Sequence, residues 1–295
     1  MLQRSVAPGA APLDVPTAFD LVAPSARASP LVHASPHSGR LYPADLLEAS
    51  ALDGDAIRRS EDAWVDELVA GAPASGGVLI KARYARAYVD LNREAWELDP
   101  SMFEDELPVF AQAPTPRAAA GLGSIARIVA EGQEIYARKL TFAEARRRIE
   151  TVHQPYHLAL ADLLAGCRER FGAALLIDWH SMPSGVAGPG RRAPDFVLGD
   201  RFGAACAGGV TRWVERELEA RGYVVARNSP YAGGWATTVY GRPAERMHAL
   251  QIEINRALYL DEVSLEPSAG APALKRDLDR LFRSLGELNW PAVLG

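Results

Sequence analysis

A single α/β domain, built on a mostly parallel or mixed central sheet flanked by helices, is the fold class this sequence predicts. Three observations carry that expectation. Segments of strand character alternate along the chain with segments of helical character, the pattern of a sheet layered with crossover helices. The 295 residues are 48% hydrophobic and 23% charged, which is ordinary globular composition and enough for one full core. No internal repeat or strong linker follows residue 30, which leaves one domain over 30–295 behind an extended, Ala- and Pro-rich arm over 1–29.

The elements are expected as follows. Residues 30–34 form a short apolar run that Pro36 and Gly39 stop. Residues 57–69 (IRRSEDAWVDELV) interleave charges with Ala63, Trp64, Val65, Leu68 and Val69, which is helical spacing. Residues 78–82 and 87–91 read as strands. Residues 144–153 read as a helix, and Pro155 as the start of another over 156–171, since proline suits a first helical turn. AALLIDW (173–179), continuously apolar behind Gly172, reads as a buried strand. A helix over 204–220 stops at Gly222, strands follow at 223–226 and 249–254, and a helix over 274–285 closes the chain. Loops with Gly and Pro span 99–124, 181–200 and 228–247, and such loops at strand ends are where α/β folds build their sites.

Bulk properties narrow the partners. Net charge is −5 and no basic stripe stands out, which argues against nucleic acid; a local arginine can still hold a small anion. Cys167 and Cys206 lie far apart with no CxxC, so neither a disulfide framework nor a thiolate metal site is expected, and the reading is reduced thiols in a cytoplasmic protein. No run of about 18 apolar residues is present, so no membrane span is expected. The N-terminus lacks a continuous apolar core and does not read as a signal peptide.

Six histidines are available: His33, His37, His153, His157, His180 and His248. His180 follows the apolar strand in IDWHSMPSG, and His37 has a similar setting in SPHSGRLYP; strand ends that open into loops present functional side chains. His153 and His157 are spaced i, i+4, but Pro155 between them is expected to break the helix, which favours a structural role over a paired metal motif. The HExxH and GxSxG patterns are both absent. GLGSIA (121–126) follows a loop rather than a strand and so lacks the context of a dinucleotide site. Ser181 reads as a loop serine, since neighbours on an extended chain point apart. In YVDLNRE (88–94), Asn92 and Arg93 offer an amide and a planar fork suited to a carboxylate, or else an Arg–Asp pair at a sheet edge. In HALQIEINRALY (248–259), Glu253 lies between Ile252 and Ile254; a carboxylate there either pairs with an arginine such as Arg256 or is a buried base with a displaced pKa.

Taken together these segments resemble the N-formylglutamate amidohydrolase family. The similar stretches are SPHSGRLYP (35–43), EDAWVDEL (61–68), RAYVDLNRE (86–94), PYH (155–157), LIDWHSMPS (176–184), NSPYAGGW (228–235), VYGRP (239–243) and HALQIEINRALY (248–259), nearly the whole chain after about residue 30. The resemblance implies a zinc-carboxypeptidase-like fold and kinship with the aspartoacylase-like deacylases. It also implies hydrolysis of a small anionic N-acyl amino acid, N-formyl-L-glutamate first, giving formate and L-glutamate. The implied order is a metal histidine, an Asn-Arg pair, a second metal histidine followed by Ser, and a late glutamate, met here by His37, Asn92-Arg93, His180-Ser181 and Glu253. One departure stands at Arg40, where the carboxypeptidase pattern places a glutamate ligand. The formylglutamate-type pattern instead has an acidic residue about two dozen positions later, which matches Asp62, with Glu61 and Asp66 as its competitors. The implied cofactor is therefore Zn2+, or another divalent metal, on His37, Asp62 and His180. By the same resemblance Glu253 is the general base, Arg86 helps stabilise the oxyanion, Asn92 and Arg93 hold a substrate carboxylate, and Tyr231, Tyr240 and Arg242 close over the substrate beside Gly233 and Gly234. Two alternatives stay open: a zinc deacylase or peptidase for another N-acyl amino acid or short peptide, and a non-catalytic carboxylate-binding protein.

Overall fold

The structure, a computed structural model, describes residues 16–111, 115–129, 132–186 and 193–294. Its centre is a mixed seven-stranded sheet with the order β1-β3-β2-β4-β7-β5-β6. The strands are β1 (Phe19–Val22), β2 (Leu31–Ser35), β3 (Val78–Ala82), β4 (Ala174–Met182), β5 (Phe196–Gly199), β6 (Val225–Arg227) and β7 (Met247–Asn255). The four central strands β3, β2, β4 and β7 run parallel. On one flank β1 pairs antiparallel with β3; on the other, β5 pairs antiparallel with β7 and carries β6 parallel to itself. Strand β1 falls within the segment read as an extended arm, of which residues 1–15 lie outside the described residues.

Helices cover both faces, as a parallel sheet requires. One face packs on the helix Gln154–Phe171 through Tyr156, Leu160 and Leu164, which meet Val32, Ile80, Leu176 and Ala249. The other packs on Gly208–Glu219 and Ala271–Gly286, whose Val210, Val214, Leu278 and Phe282 meet Leu31, Ile177, Trp179 and Ile252. All nine residues of β4 and all nine of β7 are buried, because both strands are covered on both sides. Among the described residues no helix is long and apolar enough to cross a membrane.

Four expectations are corrected. Residues 57–69 do not form one helix: a 3-10 turn (Ala56–Ser60) and a short helix (Val65–Leu68) flank a break where Trp64 takes a positive φ of 63°. Trp64 is held there from outside the segment, donating from its indole to the Leu265 carbonyl at 2.8 Å while the Arg40 guanidinium sits 4.6 Å from its ring centroid. Residues 87–91 are turns rather than a strand, because the backbone N–H of Asp90 bonds to Ser124 across a loop instead of joining the sheet. The chain is not broken at Pro155: a π-helical turn, Ile149–His153, joins Phe142–Arg148 to Gln154–Phe171, and a widened turn takes up the proline that an i→i−4 ladder would reject. The spans 181–200 and 228–247 hold strand β5 and the helix Trp235–Tyr240, both too short to show a period in the sequence.

Candidate metal centre and its cavity

Parallel pairing assembles the site. Strand β2 ends two residues before His37, and β4 and β7 stand side by side with His180 in register with Glu253 and Asp178 with Gln251. Residue alternation then puts these four side chains on one face at the carboxyl end of the sheet. His180 is thus inside β4, which runs on to Met182, rather than beyond its end. Asp62 comes from the break between the two short helices, where its N–H bonds to the His37 carbonyl at 3.0 Å. A continuous helix over 57–69 could not have made that contact.

His37, Asp62 and His180 are all buried, and one ligand atom from each lies within 4.8 Å of the others. His180 Nδ1 is 3.1 Å from His37 Nδ1 and 3.0 Å from Asp62 Oδ2, and His37 Nδ1 is 3.4 Å from the same oxygen. The outer nitrogens are committed elsewhere. His37 Nε2–H donates to Asp90 Oδ1 at 2.7 Å, and His180 Nε2–H donates to Asp178 Oδ2 at 2.9 Å. Each carboxylate fixes the tautomer and turns the Nδ1 lone pair inward. Asp62 Oδ1 is held by Ser181 Oγ at 3.2 Å and approached by Arg256 at 3.5 Å, which leaves Oδ2 for the centre. Two lone-pair nitrogens and a carboxylate oxygen converging in a buried place, each braced from behind, are a donor set that fits a divalent cation with an open side.

A cation held here would displace protons, because the surrounding carboxylates favour the charged imidazole. Burial pushes the Asp62 pKa up, but hydrogen bonds from His180 and His37 and their charge hold it well below the usual carboxylate range. Burial disfavours charge on His180, and the carboxylates of Asp178 and Asp62 overcome it, so its pKa stands well above an ordinary imidazole. Asp90, also buried, is held low chiefly by Arg86, which donates from Nε to Oδ2 at 3.0 Å, and by His37. Glu253 goes the other way, raised to about 7 by burial. Its Oε1 accepts from Gln251 at 2.7 Å, and Gln251 Oε1 accepts from the Gly234 N–H at 2.7 Å.

These groups border one cavity of about 600 Å³. It brings together His37, Asp62, His180, Glu253, Arg86, Asn92, Arg93 and Tyr231. The Asn92 amide is held among Asp178, Gln251 and the Ala236 N–H. Arg93 donates to the carbonyls of Asn92 and Leu122 and forms no ion pair among the described residues, although the Asp90 charge reaches it. The glycines allow close approach: a Cβ on Gly234 would come within 2.4 Å of the Asn92 amide, and Gly233 has a φ of 127°.

Two expected site residues do not reach the cavity. The Tyr240 hydroxyl is buried against His157 Nδ1 at 3.0 Å, and Arg242, at the amino end of β7, pairs with Glu245 at 3.4 Å. Arg256 does not pair with Glu253; it bonds to Ser181 and the Glu61 carbonyl beside Asp62. Of the competing acids, Asp66 pairs with Arg40 at 2.6 Å and Glu61 with Arg58 and the Tyr42 hydroxyl. That also accounts for Arg40. His153 and His157 donate from Nε2 to the carbonyls of Arg93 and Leu91, and so grip the backbone on either side of Asn92.

Asp90, Asp178 and Gln251 were not anticipated from sequence. Asp178 and Gln251 each stand two residues before a candidate site residue on the same strand face, which is a readable signal. Asp90 reaches His37 only through the fold.

The fold and this donor set define an α/β protein with a buried His-Asp-His cluster that could hold a metal ion, in an arginine-lined cavity. The profile described as N-formylglutamate amidohydrolase matches residues 29–260, and the chain belongs to that family of amidohydrolases. It is 33% identical over 238 residues to the N-formylglutamate deformylase of Pseudomonas aeruginosa, covering 79% of this chain and 83% of that one. Against the N-formylglutamate deformylase of Pseudomonas putida it is 30% identical over 237 residues, 79% and 82% of the two chains. The crystal structure of N-formylglutamate amidohydrolase from Ralstonia eutropha JMP134 superposes with a TM-score of 0.87 at 42% identity, covering 92% of this chain and 98% of that one.

Proposed function

We propose that this chain hydrolyses the amide of N-formyl-L-glutamate, releasing formate and L-glutamate, with a zinc ion held by His37, Asp62 and His180. The observation that carries the reading is the meeting, in one cavity, of the converging donor set, the raised carboxyl of Glu253 and the arginines. Relatives named for this substrate support the choice of acyl group.

A bound divalent cation would supply Lewis acidity and a water acidic near neutral pH. The chain's own residues do the rest. Asp90 and Asp178 keep His37 and His180 in the tautomer that offers Nδ1. Glu253, with a pKa near neutrality, takes the proton of the attacking water and returns it to the leaving amine, so that one carboxyl serves both steps. Arg86, oriented by Asp90, sets positive charge beside the position where the carbonyl oxygen becomes anionic. Arg93, with Asn92 beside it, holds the substrate carboxylate, and Tyr231 forms part of the wall around it.

The test is a panel of N-acyl amino acids assayed with and without a chelator. N-formyl-L-glutamate should be turned over fastest, chelation should abolish the activity, and zinc should restore it. Chelator-insensitive hydrolysis would remove the metal from the reading. A faster N-acetyl or peptide substrate would move the chain to a different deacylase.

A further inference from the structure

The arginines around the cavity are not equally occupied. Arg86 is bound to Asp90 and Arg256 to the Asp62 side, so their charges are largely spent within the protein. Arg117 also lines the cavity, and among the described residues no hydrogen bond, ion pair or ring contact holds its guanidinium. It is near enough to Arg93 for its charge, with burial and Arg86, to outweigh Asp90 and bring the Arg93 pKa below the ordinary guanidinium value. Two guanidiniums that line one cavity and form no ion pair among the described residues favour an anion there.

The segment that carries Arg117 is a fixed wall. Thr115 caps the short helix Pro116–Ala119, its hydroxyl accepting from the Ala118 N–H at 3.0 Å and donating to Glu97. Further along, the Asp90 N–H bonds to the Ser124 carbonyl at 2.7 Å, and Arg93 itself bonds to the Leu122 carbonyl at 2.9 Å. The same segment contributes the apolar Leu122 and Ile128 to the cavity. The cavity therefore offers two cations near one another beside apolar wall, which suits an amino acid with two carboxylates joined by a short methylene chain.

We propose that Arg117 is a specificity-determining residue that binds the distal, side-chain carboxylate of the substrate while Arg93 binds the α-carboxylate. This rests on the hydrolase reading above and adds to it why an acidic side chain would be preferred over its neutral amide. Arg117 touches neither the donor set nor Glu253, so its loss should act mainly on KM.

The experiment compares N-formyl-L-glutamate with N-formyl-L-glutamine, nearly isosteric and one charge apart, on the wild type, Arg117→Gln and Arg117→Lys. The wild-type preference for the acid, read as the ratio of kcat/KM, should fall about 10- to 100-fold in Arg117→Gln, largely through KM. Arg117→Lys should recover part of it, since a point charge replaces a fork. A ratio unchanged in Arg117→Gln, whether both substrates weaken together or neither does, overturns the proposal. Binding of L-glutamate and L-glutamine by calorimetry reads the same residue without turnover. Should the wild type hydrolyse neither formyl compound, the functional reading fails on its own. Arg117 then stands if the glutamate-over-glutamine preference in binding collapses in Arg117→Gln, and falls if it does not.

Discussion

Strands β4 and β7 have two faces, equally buried and opposite in content. On one lie Leu175, Ile177 and Trp179 beside Leu250, Ile252 and Ile254, all in one apolar cluster. On the other, Ala174, Leu176 and Ala249 give way toward the carboxyl end to Asp178, His180, Gln251 and Glu253. Exposure does not tell the two apart; partnership does. The apolar face is held mainly by packing, with the Trp179 indole donating to His33 Nδ1 at 3.1 Å. Each polar group on the other needs a specific neighbour, because burying it unpaired would cost several kcal/mol. Asp178 with His180, Gln251 with Glu253, and Asn92 across both strands supply those neighbours. One face holds the sheet together, and the other holds a charge pattern open to the cavity.

Substitutions on adjacent turns of the same strand should separate the two tasks. The largest effect is expected from Glu253→Gln, which keeps the shape and removes the proton acceptor: kcat should fall about 10²- to 10⁴-fold with metal content unchanged by elemental analysis. Near-wild-type hydrolysis in the metal-loaded variant would dismiss Glu253 as the base. Three residues back and facing the other way, Leu250→Ala should cost about 2–5 kcal/mol in denaturant unfolding while activity per folded molecule stays within a few-fold. A loss of activity out of proportion to stability there would show that the two faces are coupled.

Smaller effects probe the bracing. Asp90→Asn leaves an amide beside His37 Nε2 and should weaken metal affinity about 10- to 100-fold by competition with a chelating dye. Unaltered affinity would mean that the tautomer of His37 is set by something else. The smallest effect is the pH response of Glu253. Its folded pKa of about 7 lies above the ordinary glutamate value, so its contribution to stability is complete at low pH and is lost as pH rises through 7. The metal-free wild type should therefore lose thermal stability relative to Glu253→Gln between about pH 5 and 8. Activity runs the other way, rising as the carboxylate ionises, with a bound cation moving that limb to lower pH. Parallel stability curves for the two proteins would mean that Glu253 does not titrate in this range.

Much of this was legible in the chain. The buried strands around Ile177 and Ile252 show as unbroken or flanking apolar runs, and His37, His180 and Glu253 stand at or near strand ends where their chemistry is conspicuous. The mixed α/β sheet follows from alternation of such segments, because a strand buried on both faces needs helices on either side. Local pattern also misled in recognisable ways. Residues 57–69 carry helical spacing but break at Trp64, which is anchored 201 residues away at Leu265; residues 87–91 alternate like a strand but bond across to Ser124.

What the sequence determined by itself was therefore which segments must be buried and which side chains could do chemistry, since both follow from residue type and near neighbours. What only the tertiary structure decided was the pairing: Asp62 on the His37 carbonyl, Asp90 behind His37, Arg256 on Asp62 rather than Glu253, and Tyr240 turned away from the cavity onto His157. A hydrogen bond acts over about 3 Å and is indifferent to separation along the chain. Which of several acids or arginines meets a given histidine is set by strand register and by the way the loops return, and no local pattern carries that information.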